Sequence, residues 1–551
     1  MFLLFLFLAK TCPRPVLYFL TYVIYEWFLS VAERVAEERG ERLGDSIGYQ
    51  IRLEANLPKS RHGSILFCTT GIVLQWMRTD PELSQLTHLI VDEIHERDMQ
   101  SDFILTLLKD LTKTRSDLKI ILMSATLNAD AFSKYFYNCP KVSIPGYTYP
   151  VKEYYLEDAL EVTRLDLLKH LPQKPSQKWQ KYTKRGKEKA SQHTEYDGMI
   201  GPYIRNHLQD KYSRSTIEAL KHPLSEKLNH DLVAALVHYL HGHEKPGAIL
   251  VFLPGWDDIS KVNTFLSKPG KYCLQNAVIY PLHSLMPTAG QRDIFVKPPP
   301  HLRKVILATN IAETSITIED VVYVVDCGKI KMTKFDVQAN IATFQPEWVS
   351  LANARQRRGR AGRVQPGVCY HLYTKAREMT LESYLMPEIQ RKRLEDVILQ
   401  IKVLGLGNVM KFVEKLMNPP EVEAVNLSLD LLRSLNAIDA NEQLTPLGYH
   451  LSKLPMDPQL GKMILLGAIF SCLVSLIFIH KSQRCFFFKF NKAKQKRNLR
   501  IDLKCTMYYA KVRITSDFFL FYFLLFFIFI MRSSLYILPG SCSFRGSIAF
   551  I

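Results

Sequence analysis

The chain has 551 residues, 47% of them hydrophobic and 23% charged, which is enough apolar material for about three domains and excludes a disordered protein. Lys and Arg number 71 against 53 Asp and Glu, a net charge of +18, so the partner is expected to be polyanionic unless the charge is only a basic solvated surface. The ten cysteines, among them Cys68, Cys139, Cys273, Cys327 and Cys369, have neither CxxC spacing nor the density of a disulfide scaffold, which argues against a zinc module and for a reduced, intracellular chain.

Two apolar runs, Met1–Ala9 and Val16–Leu29, open the chain, interrupted by Lys10, Arg14 and Glu26. Without a basic leader or a small-residue cleavage site they do not read as a signal peptide. From Ser30 to residue 156 short β-branched runs alternate with helical patterns, which predicts an α/β domain with a parallel sheet. His88–Val91 and Lys119–Met123 are its clearest strands, each ending at a polar cluster where such sheets bind ligands. Periodicity fails from Leu160 to Arg214, where Lys, Gln and Ser dominate, so residues 157–214 are expected to be an exposed basic linker. Strands at Gly247–Leu253, Ala277–Leu282, Arg303–Ala308 and Val321–Asp326 then predict a second α/β domain over 215–386. Two such domains joined by a linker leave a cleft between them. Residues 387–455 read as a helical or winged-helix module, and 456–472 as the start of a helical bundle. Beyond Cys472 order is lost; the apolar run Phe518–Met531 is shorter than the ~20 residues needed to cross a bilayer, and no membrane anchor is expected.

Asp92-Glu93-Ile94-His95 follows directly on the strand His88–Val91. One carboxylate at a strand end can hold the magnesium of a nucleotide, the role expected of Asp92, and a second can orient and deprotonate an attacking water, the role expected of Glu93. Two acidic residues after a strand are also a common helix N-cap. In the second α/β unit, Gln356-Arg357-Arg358-Gly359-Arg360-Ala361-Gly362-Arg363 spaces three arginines by three along a predicted helix. Arg357, Arg360 and Arg363 are expected on one face, meeting a triphosphate presented across the cleft. The alternative is a solvated basic helix, but two glycines within four residues weaken a helix by ~1 kcal/mol each and ask for a reason such as close approach of a ligand.

Asp-Glu-Ile-His, Ser124-Ala125-Thr126, Phe252-Leu253-Pro254-Gly255, Thr309-Asn310-Ile311-Ala312-Glu313-Thr314-Ser315 and the Gln-to-Arg run stand in the order and spacing of superfamily 2 helicases. From Ser30 to Cys472 the chain resembles the DEAH/RHA family of RNA helicases. With Ile144-Pro145-Gly146-Tyr147-Thr148-Tyr149-Pro150-Val151 it looks most like the branch that includes the G-quadruplex-resolving helicase. The resemblance implies two RecA-like domains, ATP and Mg2+ as cofactors, RNA as partner, structured RNA or G-quadruplex DNA among its substrates, and a nuclear or cytoplasmic location. It implies that His95 and Gln356 serve catalysis across the cleft, that Ser124 and Thr126 couple the nucleotide to domain closure, and that Gln356, Arg360 and Arg363 face the γ-phosphate. Thr317 and Glu319 match the family's ribose contacts, with Glu319 where Asp is usual. Arg14, Thr69, Thr70, Gly71, Thr309 and Asn310 match its RNA-backbone contacts, made without reading bases.

The sequence departs from that family in one respect that matters chemically: no Gly-x-x-x-x-Gly-Lys-Ser/Thr phosphate loop occurs in it. Of the family's Thr-x-Pro-Arg-Arg segment only Thr11-Cys12-Pro13-Arg14 remains, and the first domain is expected to lack its central strand. The breaks before Ser30 and after Cys472 read as non-coding sequence carried into the chain or as a natural truncated form. Besides a catalytically impaired helicase, a non-catalytic RNA-binding protein remains the alternative.

Overall fold

A computed structural model of the chain describes residues 16–20, 25–52, 54–60, 63–125, 129–144, 146, 148–167, 195–284, 293–314 and 318–471. The chain divides into two compact units at Lys462, and the first carries every element discussed below.

The first sheet has six strands in the order β3-β2-β4-β1-β5-β6. They are β1 (Val16–Leu20), β2 (Ile47–Gln50), β3 (Ala55–Asn56), β4 (Ile65–Thr69), β5 (His88–Asp92) and β6 (Lys119–Leu122). All run parallel except β3. One helix, α1 (Tyr25–Arg39), sets Ala32, Val35 and Ala36 at helical spacing against Ile47, Ile65, Phe67 and Ile90. The strand at the centre corrects two expectations. Val16–Leu20 pairs with β4 on one side and β5 on the other, so the segment set apart as residues 1–29 enters the first sheet and its centre is filled. Physically, Val-Leu-Tyr-Phe-Leu is the kind of continuous apolar, β-prone run that a doubly covered parallel strand takes, whether or not a family phrase accompanies it.

The second sheet is entirely parallel, in the order β7-β14-β11-β8-β10-β9. Its strands are β7 (Val151–Tyr154), β8 (Ala248–Phe252), β9 (Ala277–Leu282), β10 (Arg303–Ala308), β11 (Val321–Asp326) and β14 (Gly367–His371). Because β7 pairs with β14, residues 151–156 belong to the second domain and not, as expected, to the first. The expected linker 157–214 is also corrected. Leu156, Leu160, Leu167, Tyr196, Ile200, Ile204 and Leu208 are buried in the second core with α2 (His230–His243). Tyr196, Ile200, Ile204 and Leu208 repeat every four residues, a helical stripe that the polar composition around it hides. The strongly basic part of that segment, residues 168–194, lies outside the described residues.

Two antiparallel strands, β12 (Lys329–Asp336) and β13 (Ile341–Trp348), form a hairpin that sequence patterning does not announce. After β14 come the helices α3 (Glu395–Val403), α4 (Val422–Ser434) and α5 (Pro446–Leu451), with an isolated bridge between Ile438 and Leu444. This module packs on the first domain, where Phe412 meets Phe103 at 5.1 Å between ring centroids and Arg97 donates to Asn418 at 2.6 Å. Among the described residues no helix is long and apolar enough to cross a membrane; the run Phe518–Met531 lies outside them.

Candidate functional site

The first half of the site is the carboxyl end of β5. Asp92 is buried, and its Oδ1 accepts the Glu93 N–H at 2.8 Å. That contact holds Glu93 in the left-handed backbone region, φ 53° and ψ 33°, a conformation costing a non-glycine residue about 1–3 kcal/mol and typical of sites where a side chain must be aimed. Burial, and then the charge of Asp92, push the Glu93 carboxyl up to about 7, while Arg360 and Arg363 pull it down. A carboxylate poised there can take a proton near neutrality. Burial also drives His95 down to about 4, so its ring is neutral and Nε2 can accept. The Gln356 side-chain amide supplies the donor at 2.6 Å, and His95 Nδ1 lies 3.3 Å from Glu93 Oε2. Glu93, His95 and Gln356 thus form one file from the first domain to the second.

Gln356 rides on the helix Leu351–Gly359, which Ser350 caps by accepting from the Asn353 N–H. The helix ends at Gly359, earlier than expected, so the three arginines do not share a face. Arg357 is 1% exposed and turned inward: its Nε donates to Glu313 at 2.8 Å, its Nη1 to Asp326 at 2.8 Å, and its guanidinium stacks over Phe252. The nucleotide-binding role expected of Arg357 is therefore corrected; it is a core residue that fixes the helix to the sheet. Arg360, buried, and Arg363, exposed, are the ones that face Glu93. Arg360 is pushed down to about 9 by burial and by the like charge of Arg363. Positive charge crowded and desolvated in this way is an anion site in waiting. Gly362 has a different reason from the one expected. A Cβ there would lie 2.6 Å from the Tyr149 carbonyl, and the Tyr149 N–H donates to the Gly362 carbonyl at 2.8 Å, so what approaches closely is the chain's own interdomain segment.

Glu319 is exposed in the turn entering β11. Since β11 and β14 are neighbours, it lies on the same sheet edge as Arg360 and Arg363, which lead into β14. Ser124 follows β6, half-buried, and Ala125 joins Arg355, Gln356, Ser383 and Tyr384 around a cavity of about 380 Å³. Arg14, Thr126 and Thr317 lie outside the described residues. No group of three or more metal-ligating side chains occurs among the described residues. Asp92 with Glu93 still fits magnesium, which takes one or two carboxylates and leaves the remaining positions to phosphate and water.

Thr69, Thr70 and Gly71 sit where β4 turns into the helix Thr70–Met77. Thr70 is buried and donates to Gln100 at 3.2 Å, while Thr69 and Gly71 line a groove of about 1050 Å³. Sequence reading missed the groove's cations, Arg52, Arg78, Lys392, Arg393 and Lys453, which lie far apart in the chain and share only the overall positive charge. Asp98 and Asp396 also line it, raised by burial to about 7 and about 6. Thr309 and Asn310 end β10 elsewhere, outside that lining, with Thr309 buried and Asn310 exposed.

Comparison with known proteins agrees with this arrangement. The DEAD/DEAH box helicase family matches residues 26–133, the helicase conserved C-terminal domain 231–365, and the winged-helix helicase associated domain (HA2) 428–456. The chain is 52% identical over 464 residues to the ATP-dependent DNA/RNA helicase DHX36 of Homo sapiens, covering 82% of this chain and 45% of that protein. It is 47% identical over 451 residues to the DExH-box ATP-dependent RNA helicase DExH1 of Arabidopsis thaliana, covering 81% and 44%. The Escherichia coli DEAH/RHA helicase HrpB superposes with a TM-score of 0.62 at 27% identity, over 82% of this chain and 48% of that one. This chain spans less than half the length of these relatives. By its two motor modules and the winged-helix module that follows them, it belongs to the DEAD/DEAH box helicases.

Proposed function

We propose that the chain is the motor portion of an RNA helicase that couples ATP hydrolysis to movement along RNA, with structured RNA and G-quadruplex DNA among the candidate substrates. The observation that carries this reading is the site shared by the two domains: acidic Asp92 and Glu93 from one, buried Arg360 and exposed Arg363 from the other, linked through His95 and Gln356. Asp92 would hold Mg2+ directly or through water, and the ion would supply charge neutralisation at the phosphates. Glu93 orients the attacking water and takes its proton. Arg360 and Arg363 meet the negative charge that develops on the transferred group, a role worth about 10³- to 10⁵-fold in rate when an arginine is supplied across a cleft. Gln356 reports the state of this site to His95 and the first domain.

A second reading, an RNA-binding protein without turnover, is favoured by one observation: these 551 residues contain no phosphate loop. Charged hydrogen bonds contribute roughly 1.5–3 kcal/mol each, so losing two or three weakens nucleotide binding by about 10³-fold or more. The Kd for ATP is therefore expected to lie above the micromolar range. RNA-stimulated hydrolysis at millimolar ATP separates the two readings. Phosphate release by the parent chain that disappears in Glu93→Gln supports the motor; identical background from both, with RNA bound, leaves the non-catalytic reading.

A further inference from the structure

The carboxyl edge of the second sheet carries a group of side chains that hydrolysis does not use. There β8, β10 and β9 end side by side: the Leu253 N–H donates to the Ala308 carbonyl at 2.8 Å and the Thr309 N–H to the Leu282 carbonyl at 3.3 Å. Leu253, Thr309 and His283 consequently stand in one row. Just beyond it, Trp256 opens the helix Trp256–Ser267 and is 43% exposed, an unusual position for the largest apolar side chain. His283 meets its indole at 5.8 Å between ring centroids and 67° between planes, an edge contact that braces the exposed ring. Lys331 of β12 comes in beside them. A Cβ on Gly255 would lie 2.5 Å from its Nζ, so the glycine makes room for the ammonium. Partial burial and, after it, the charge of Lys331 lower the His283 pKa, which favours the neutral ring. The neighbouring carboxylates, Asp258 held by His230 at 2.8 Å and Asp257 exposed, disfavour a phosphate at this point. An exposed indole edged by His283, with Lys331 as the cation beside it among the described residues, suits an uncharged aromatic ring better than a phosphate.

We propose that Trp256, braced by His283 and flanked by Lys331, is a stacking platform for one base of the RNA strand whose backbone Thr309 and Asn310 contact. The platform rests on the RNA reading above and adds to it a sequence-tolerant grip on the base, since every base offers a flat face. It also predicts a division of labour. Trp256 contributes affinity that salt does not remove, and Lys331 contributes affinity that it does.

The test uses the full 551-residue chain and two labelled probes, a 12-nucleotide oligouridylate and a 12-unit abasic ribose-phosphate strand, each titrated from low to moderate salt. Trp256→Ala is expected to weaken oligouridylate binding by about 5- to 100-fold with the salt slope unchanged, to leave abasic-strand binding as in the parent, and Trp256→Phe to retain most of the affinity. Lys331→Ala should instead reduce the salt slope by about 1 on both probes. Equal affinity of Trp256→Ala and parent for oligouridylate, with Asn310→Ala weakened, would overturn the platform and leave the RNA reading standing. Equal losses on both probes would overturn it too, by making Trp256 a folding residue. No binding of either probe by the parent at low salt would overturn the RNA reading itself.

Discussion

Gln356 of the second domain donates to Nε2 of His95 in the first across 2.6 Å. The bond requires a neutral imidazole, which burial secures down to about pH 4. Each of His95→Ala and Gln356→Ala should lower stability by about 0.5–1.5 kcal/mol, with the double variant costing little more than either alone. A thermal-denaturation cycle at pH 7 measures this. Strict additivity of the two losses would mean that the residues do not communicate.

Glu93 links stability to pH with a sign opposite to that of most carboxylates. Its pKa is about 7 in the folded chain against a model-peptide value near 4.3, so the folded state loses stability as pH rises from the lower value through the upper one. Glu93→Gln removes that loss. The variant should gain on the order of 3–4 kcal/mol over the parent at pH 8 and almost nothing at pH 4. Urea denaturation at the two pH values is the measurement; a gain that is the same at both would place the Glu93 pKa near its ordinary value.

Arg357 and Arg363, six residues apart, should fail in different ways. Arg357→Ala leaves Glu313 and Asp326 buried without their cation and should cost about 3–5 kcal/mol; Arg357→Lys should recover little, because it cannot reach both carboxylates with one planar fork. Arg363→Ala should leave stability within about 0.5 kcal/mol while reducing affinity for nucleotide. Parallel melting and nucleotide titrations distinguish the two, and a large stability loss in Arg363→Ala would contradict the division.

RNA affinity should rise as pH falls from 8 to 6. Asp98 and Asp396 line the groove with pKa values raised to about 7 and about 6, so acidification removes negative charge from it and should favour a polyanion lying there. Asp396→Asn should raise affinity at pH 8 and flatten the pH dependence, read by fluorescence anisotropy at constant ionic strength. A pH-independent affinity in the parent would remove these carboxyls from the RNA path.

Much of this architecture is legible in the sequence, and the failures have physical causes. The strands at His88, Arg303 and Val321 are recognised because buried parallel strands are uninterrupted apolar runs. Asp92, Glu93, Arg360 and Arg363 stand out as candidates because they sit in short contiguous motifs, and the structure brings the two arginines to face Glu93. Arg357 is misjudged because spacing of three predicts a shared face only while the helix lasts, and it ends at Gly359. Tyr196 to Leu208 is misjudged because the polar residues around it mask its buried stripe of four-residue period. The groove cations Arg52, Lys392 and Lys453 come together only through tertiary folding, so no local pattern announces them.

The segment between the two sheets runs past Val142 and Ile144, which are 85% and 77% exposed, making it the natural place for a protease to enter. A single nick there would not release the front half of the molecule. The cut leaves β7 with the sheet it pairs in, and the front half stays clamped from behind by the winged-helix module through Arg97 and Asn418, Phe103 and Phe412, and Tyr135 donating to the Lys415 carbonyl at 2.8 Å. The nicked chain should therefore migrate as one particle on a sizing column and as two bands once denatured. The two halves, made separately, are candidates for a split protein that reassembles on mixing.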